Sequence, residues 1–141
     1  MLIVIIIIGI LAAIAVPQFS SATSDAKVSA LKAGLGGVRS SIAAFRANAV
    51  LAGAAPYPTL AELTTRGTVL QSDFPENPFN GKTTVQSVTL GQANARTVTG
   101  TAGWNYYYDN SSDPAIAIFY ANSSTTAGTT ASGTSVTANN H

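Results

Sequence analysis

The chain has no cysteine, so no disulfide staples it and no thiolate can hold a metal or attack a substrate. Its one histidine is His141, so no pair of imidazoles can share a metal ion. Charge is scarce: 7 basic and 6 acidic residues in 141, a charged fraction of 9% and a net charge of +1. With no basic patch, no specific nucleic-acid contact is expected. A surface this weakly charged repels its copies weakly, which suits dense self-packing. The six acids, Asp25, Glu62, Asp73, Glu76, Asp109 and Asp113, are scattered. Neither catalytic residues nor a cofactor are expected.

What the chain does have is an apolar run, Met1 to Val16, without a charge or a strong polar group, ended by Pro17. As a helix it reaches about 24 Å, somewhat short of the roughly 30 Å bilayer core. A cleaved signal peptide would carry a basic segment before the run, and none is present. A core helix would show a polar face. A membrane anchor is the plainest remaining reading.

Beyond Ser20 the pattern changes. Val28, Leu31, Leu35, Val38, Ile42, Phe45 and Ala49 are spaced alternately three and four apart, the stripe of an amphipathic helix. Asp25, Lys27, Lys32, Arg39 and Arg46 fall between them. The spacing predicts one long helix ending near Gly53, kinked at Pro17. Its second half packs on the rest of the chain. Gly34, Gly36 and Gly37 mark a soft point or a place of close packing.

Ile6-Ile-Ile-Gly-Ile-Leu-Ala-Ala-Ile-Ala-Val-Pro-Gln-Phe19 resembles the N-terminal helix of type IV pilins and of type II secretion pseudopilins. The match is close over Leu2 to Phe19 and one of pattern over Ala22 to Gly53. The resemblance implies an α+β fold, a long kinked N-terminal helix packed on a small antiparallel sheet. It implies that Leu2, Ile3, Val4, Ile5, Ile6, Ile7, Ile8, Gly9, Ile10, Leu11, Ile14, Val16 and Pro17 serve the membrane and then a filament core. Val28, Leu31, Leu35, Val38, Ile42 and Phe45 would pack on the head. Family members also carry a leader peptide, a cleavage site, an N-methylated aromatic and a glutamate. Judged by Gly9 and Pro17, this chain is expected to start just after that glutamate. With those residues restored, the segment before the proline would approach a spanning length of about 20 residues.

Three parts are expected: the helix, 1–53, comprising an apolar segment 1–19 and an amphipathic half 20–53; a head, 54–121; and a tail, 122–141. Ala54 to Pro58 is a breaker-rich exit from the helix. Thr59 and Glu62 fit a capping box for a short helix over Leu60 to Thr65. Phe74 to Gly81, with two prolines and Asn80-Gly81, reads as a loop, similar to a connection in compact pilin heads. Strands are expected over Lys82 to Leu90, Arg96 to Thr99, Gly103 to Asp109 and Ala115 to Ala121, three or four of them in an antiparallel sheet. Trp104, Tyr106 and Tyr108 share one face as core. The last hairpin again resembles that of pilins.

The tail is rich in Ser, Thr, Gly, Ala and Asn with one large apolar residue, Val136, so disorder is its default. His141 is expected to be mobile. Asn110 and Asn122 match the N-glycan sequon, and the Ser/Thr density makes O-glycans a candidate. Asp109 and Asp113 flank a turn rich in oxygen ligands, a weak candidate for Ca²⁺, which major pseudopilins bind. A polar turn is the plainer reading.

The resemblance implies the major subunit of a type IV pilus, polymerising through its apolar helix into a surface filament for adhesion, motility or DNA uptake. The partners implied are identical subunits, inner-membrane lipid before assembly and the pilus assembly machinery. Location would pass from inner membrane to cell surface. The alternative is a pseudopilin of a short periplasmic pseudopilus. A Ser/Thr tail in place of Asp/Gly repeats favours the pilin. A third class is an anchored domain that never polymerises.

Overall fold

The computed structural model describes residues 1–129 and 135–141, with the side chains of 16–21 and 129 outside the description. One helix, α1 (Leu2–Leu51), is followed by α2 (Leu60–Thr64), β1 (Val85–Ser87), α3 (Leu90–Asn94), β2 (Trp104–Asp109) and β3 (Ile116–Ala121). Then come β4 (Thr126–Thr129), β5 (Ser135–Thr137) and a 3₁₀ turn, Ala138–Asn140. The architecture is α+β, a long helix with a small mixed sheet. The kink expected at Pro17 falls among the residues whose side chains lie outside the description.

α1 ends where the sequence supplies a left-handed residue. Gly53 has φ +67°, and the Gly53 and Ala54 amides donate to the Val50 and Ala49 carbonyls at 3.1 and 2.9 Å. That is a Schellman motif, and only glycine adopts its backbone angle without strain. α2 starts on the expected capping box. The Glu62 amide donates to Thr59 Oγ1, and the Thr59 amide donates to Glu62 Oε2 at 2.8 Å.

The sheet has the order β1-β2-β3. β2 and β3 are antiparallel, with Trp104 opposite Ala121 and Tyr106 opposite Phe119. β1 runs parallel to β2, with Val85 opposite Trp104. The expectation of an antiparallel sheet is therefore corrected at this pair. Residues 88–103 form a crossover carrying α3, which is the length a parallel connection needs.

The same crossover corrects two expected strands. Lys82 to Leu90 is a strand only over Val85–Ser87, because Thr89 caps α3 through its own capping box with Gln92. Arg96 to Thr99 is not a strand. Arg96 turns the chain with φ +52°, and the carbonyls of Thr97 and Thr99 accept from side chains.

The sheet has two covered faces. On one, Trp104, Tyr106, Phe119 and Ala121 pack with Leu31, Leu35, Val38 and Ile42 of α1 and Leu63 of α2. Trp104 stacks on Phe119 at 5.4 Å between centroids, and its indole donates to the Pro75 carbonyl at 2.8 Å. On the other face, Tyr120 packs with Val88 and with Ala93 of α3. Alternation along β2 and β3 assigns each side chain to its face. Gly34 of α1 is a close-packing site: a Cβ there would touch Trp104 and Pro75, whereas Gly36 and Gly37 face open space.

Without disulfides, the loops are held by asparagines. Asn77, fully buried, donates to the Gly103 carbonyl at 2.7 Å and accepts from the Phe79 amide. Asn122 donates to the Thr99 and Ala102 carbonyls and accepts from the Thr99 amide and from Asn105. Gly103 sits at the centre of this bracket, where a Cβ would run into the Lys82 carbonyl.

The expectation of a disordered tail is corrected over its described residues. β4 and β5 pair antiparallel, and Ala127 and Ala138 enter the main core. The Ala138 amide donates to the Thr125 carbonyl, and the Asn139 amide to that of Ser123, both at 2.9 Å. Small side chains suffice here, because the tail fills space left between α1 and the sheet rather than building a core of its own. His141 is tied as well: its backbone oxygen accepts from Arg39, and its ring Nε2 lies 3.2 Å from the Ala127 carbonyl.

Candidate assembly surface

The two halves of α1 present different surfaces. In the second half the stripe meets the head: Leu31, Leu35, Val38, Ile42 and Ala49 are buried, and Val28 and Phe45 are half-buried. Asp25, Lys27, Lys32, Arg39 and Arg46 all lie on the exposed side. The head-packing residues read from the sequence are thus brought together against the sheet.

Over residues 2–14 no side chain is covered. Leu2, Ile3, Val4, Ile5, Ile6, Ile7, Ile8, Ile10, Leu11 and Ile14 are between 51% and 75% exposed. Gly9 has nothing within contact of a built Cβ. Val16 and Pro17 lie outside the described side chains. Exposure falls on every side of the helix, so this is a bare apolar rod and not a stripe.

Full burial of a large apolar side chain is worth about 1.5–3 kcal/mol, so ten such residues in water forgo on the order of 20 kcal/mol. That exceeds the about 5–15 kcal/mol by which a whole domain is stable. A surface of this kind marks a contact with lipid or protein. Among the described residues, no helix is long and apolar enough to cross a membrane.

The weaker candidate sites resolve differently. Asp109 Oδ1 accepts from the Ser111 hydroxyl at 2.6 Å and from the Ser111 amide at 2.8 Å. These bonds, the hydroxyl first, hold its carboxyl below the usual range. The carboxylate closes the β2–β3 turn, and Asp113 is exposed beyond it. Among the described residues, no three His, Cys, Asp or Glu side chains gather as a metal-binding group.

Asn122 is corrected as a glycan site: it is 4% exposed, and both its amide hydrogens are bonded within the bracket. A sugar on that nitrogen would have to displace one of those bonds and open the core. Asn110 pairs with the Tyr57 backbone, accepting at 2.9 Å and donating at 2.8 Å. It pins the β2–β3 turn to the exit from α1.

Tyr106 hides its hydroxyl beneath α2, donating to the Pro58 carbonyl at 2.9 Å, and burial raises its pKa. The aromatic face of β2 is core, as its alternation indicated. One cluster escaped the sequence reading. Arg39, Arg46 and Arg96 line a common cavity. The seven-residue spacing of Arg39 and Arg46 on one helix face was the visible signal; Arg96 joins them only through the α3 turn. Comparison of the chain with protein-family models, characterised proteins and solved structures returned no match.

Proposed function

We propose that the chain is the major structural subunit of a type IV pilus, assembled through the apolar half of α1. One observation carries the reading. A single helix is bare and apolar over residues 2–14 and is clamped to a folded head over residues 31–49. The sequence of the bare part, Ile6 to Phe19, resembles the pilin helix.

The mechanism is transfer of one apolar surface between two apolar environments. Before assembly the rod lies in inner-membrane lipid, delivered to a growing filament by the pilus assembly machinery. On assembly it leaves lipid and packs against the rods of identical subunits. The exchange changes little in free energy, because neither environment is water. Heads packed by a repeated, non-closing contact then give a helical filament displayed at the cell surface. Adhesion, motility or DNA uptake would be properties of that filament.

Electron microscopy of material sheared from cells, with an antibody against the head, tests the reading. Long labelled filaments are expected. Their absence from cells that express the chain would overturn it. Short stubs confined to the periplasm would identify a pseudopilus instead.

A further inference from the structure

A cavity of about 460 Å³ opens between the second half of α1, the Arg96 turn and the described tail. Three of the chain's seven cationic side chains line it, and no Asp or Glu does. Its apolar wall includes Ile42 and Phe119. Among the described residues, the ion pair present is Arg66 with Asp73 at 3.7 Å, elsewhere on the head.

Among the described residues, no Asp or Glu side chain pairs with any of the three guanidinium groups. Arg39 donates through Nε and Nη2 to the Phe119 carbonyl at 3.2 and 2.9 Å, and through Nη2 to a backbone oxygen of His141 at 2.8 Å. Arg46 sits over the Tyr57 ring at 5.2 Å, and Arg96 over the Tyr120 ring at 5.4 Å. Burial, and then the nearby Arg96, lowers the pKa of Arg39, so the two cations feel each other. Arg96 Nη1 is shielded from solvent and meets no acceptor. Like charges gathered around a hollow favour a further counter-charge inside it.

We propose that this cavity binds a compact anion bearing two negative charges on oxygen, a phosphate monoester or a dicarboxylate, with its apolar body against Ile42 and Phe119. Guanidinium forks match the paired oxygens of both groups. The volume is that of a small-molecule pocket, which spans about 300–1,000 Å³. Arg39 and Arg46 approach from one helix face. Arg96 comes from the turn after α3, which is fixed by the Asn139 side chain donating to its carbonyl at 2.6 Å. The site is complete in one subunit and does not depend on the filament.

Calorimetric titration of the full chain in a non-ionic detergent tests the assignment. The probes are phenyl phosphate and phthalate at neutral pH, against sodium chloride at matched ionic strength. Saturable one-to-one binding is expected with a Kd below about 1 mM. Arg46→Gln, at an exposed position, should weaken it about tenfold, leave circular dichroism unchanged and lower the ligand-free Tm by no more than a few degrees for the lost contact with Tyr57. Arg96→Gln should weaken it similarly; if that variant unfolds, Arg46→Gln decides alone. Binding of phenyl phosphate only assigns a phosphate ligand, binding of phthalate only a carboxylate, and both the shared chemistry. Binding of neither above the chloride control, or equal affinity in Arg46→Gln, would overturn the proposal.

Discussion

Residues 2–14 and residues 31–49 lie on one helix, yet they obey opposite rules. In the second stretch, apolar side chains recur every three or four positions, charges fill the gaps, and the stripe disappears into the head. In the first, apolar residues occupy every direction around the axis, and each large one stays at least half exposed. A stripe names the side on which a partner must lie; a rod apolar all round names none. The head therefore satisfies one half, and only lipid or several neighbours together can satisfy the other. Stability belongs to the second half. The uncovered apolar surface belongs to the first.

The sharpest way to break this comparison is to charge the rod. Ile7→Lys is expected to abolish filaments in the sheared fraction, because a cation in an apolar bundle has no partner. The detergent-solubilised chain should keep its Tm to within about 2 °C, since Ile7 touches nothing in the head. A large fall in Tm would show that the rod contributes to head stability after all. The reverse substitution is Leu35→Ala, on the clamped half, where Leu35 is 2% exposed. It should cost about 3–4 kcal/mol and lower Tm by about 10 °C or more. An unchanged melt would mean that α1 is not the floor of the core.

Much of this was visible in the residues, and the rest was hidden for physical reasons. The helix, its stripe, the Thr59–Glu62 box and the β2–β3 hairpin rest on local periodicity and caps, which short stretches specify. The parallel pairing of β1 depends on a crossover whose helix, α3, is five residues long. The Thr89–Gln92 box announced that helix, but the β-branched run before it read as a continuing strand. The tail misled because its composition cannot build a core, whereas Ala127 and Ala138 need only complete one. The asparagine bracket left a trace in Asn77, Asn105 and Asn122, but hydrogen bonds between residues 17 to 26 apart have no period. The rod was fully legible as a surface without a polar side. What covers it is not written in its spacing.

A smaller test concerns the exit from α1. Thr59→Ala removes the hydroxyl that accepts from the Glu62 amide, and should cost about 1 kcal/mol at pH 7. The Thr59 amide, and then its hydroxyl, hold Glu62 below the usual carboxylate pKa. A carboxylate depressed in the fold adds stability above its unfolded value, about 4.3, and loses it as pH falls through the lower folded value. Glu62 is exposed, so the effect is small. Denaturant melts should show the Thr59→Ala cost shrinking below about pH 4. A cost constant down to pH 2 would separate the hydroxyl from the carboxylate.

The finest distinction lies within the clamped half, at Gly36. Glycine in a helix interior is worth about 0.5–1 kcal/mol less than alanine, and nothing lies within contact of a Cβ built there. In the isolated subunit, Gly36→Ala should therefore raise Tm by a few degrees. If the outer side of this half faces water in the assembled state too, filament yield should be unchanged. If it faces the rod of a neighbouring subunit, the added methyl group would hold the two helices apart, and yield should fall while Tm rises. A stabilised subunit that assembles poorly would place the interface on the side of α1 opposite its stripe. The division between the two halves would then be one of partner, the head for the stripe and other copies for everything else.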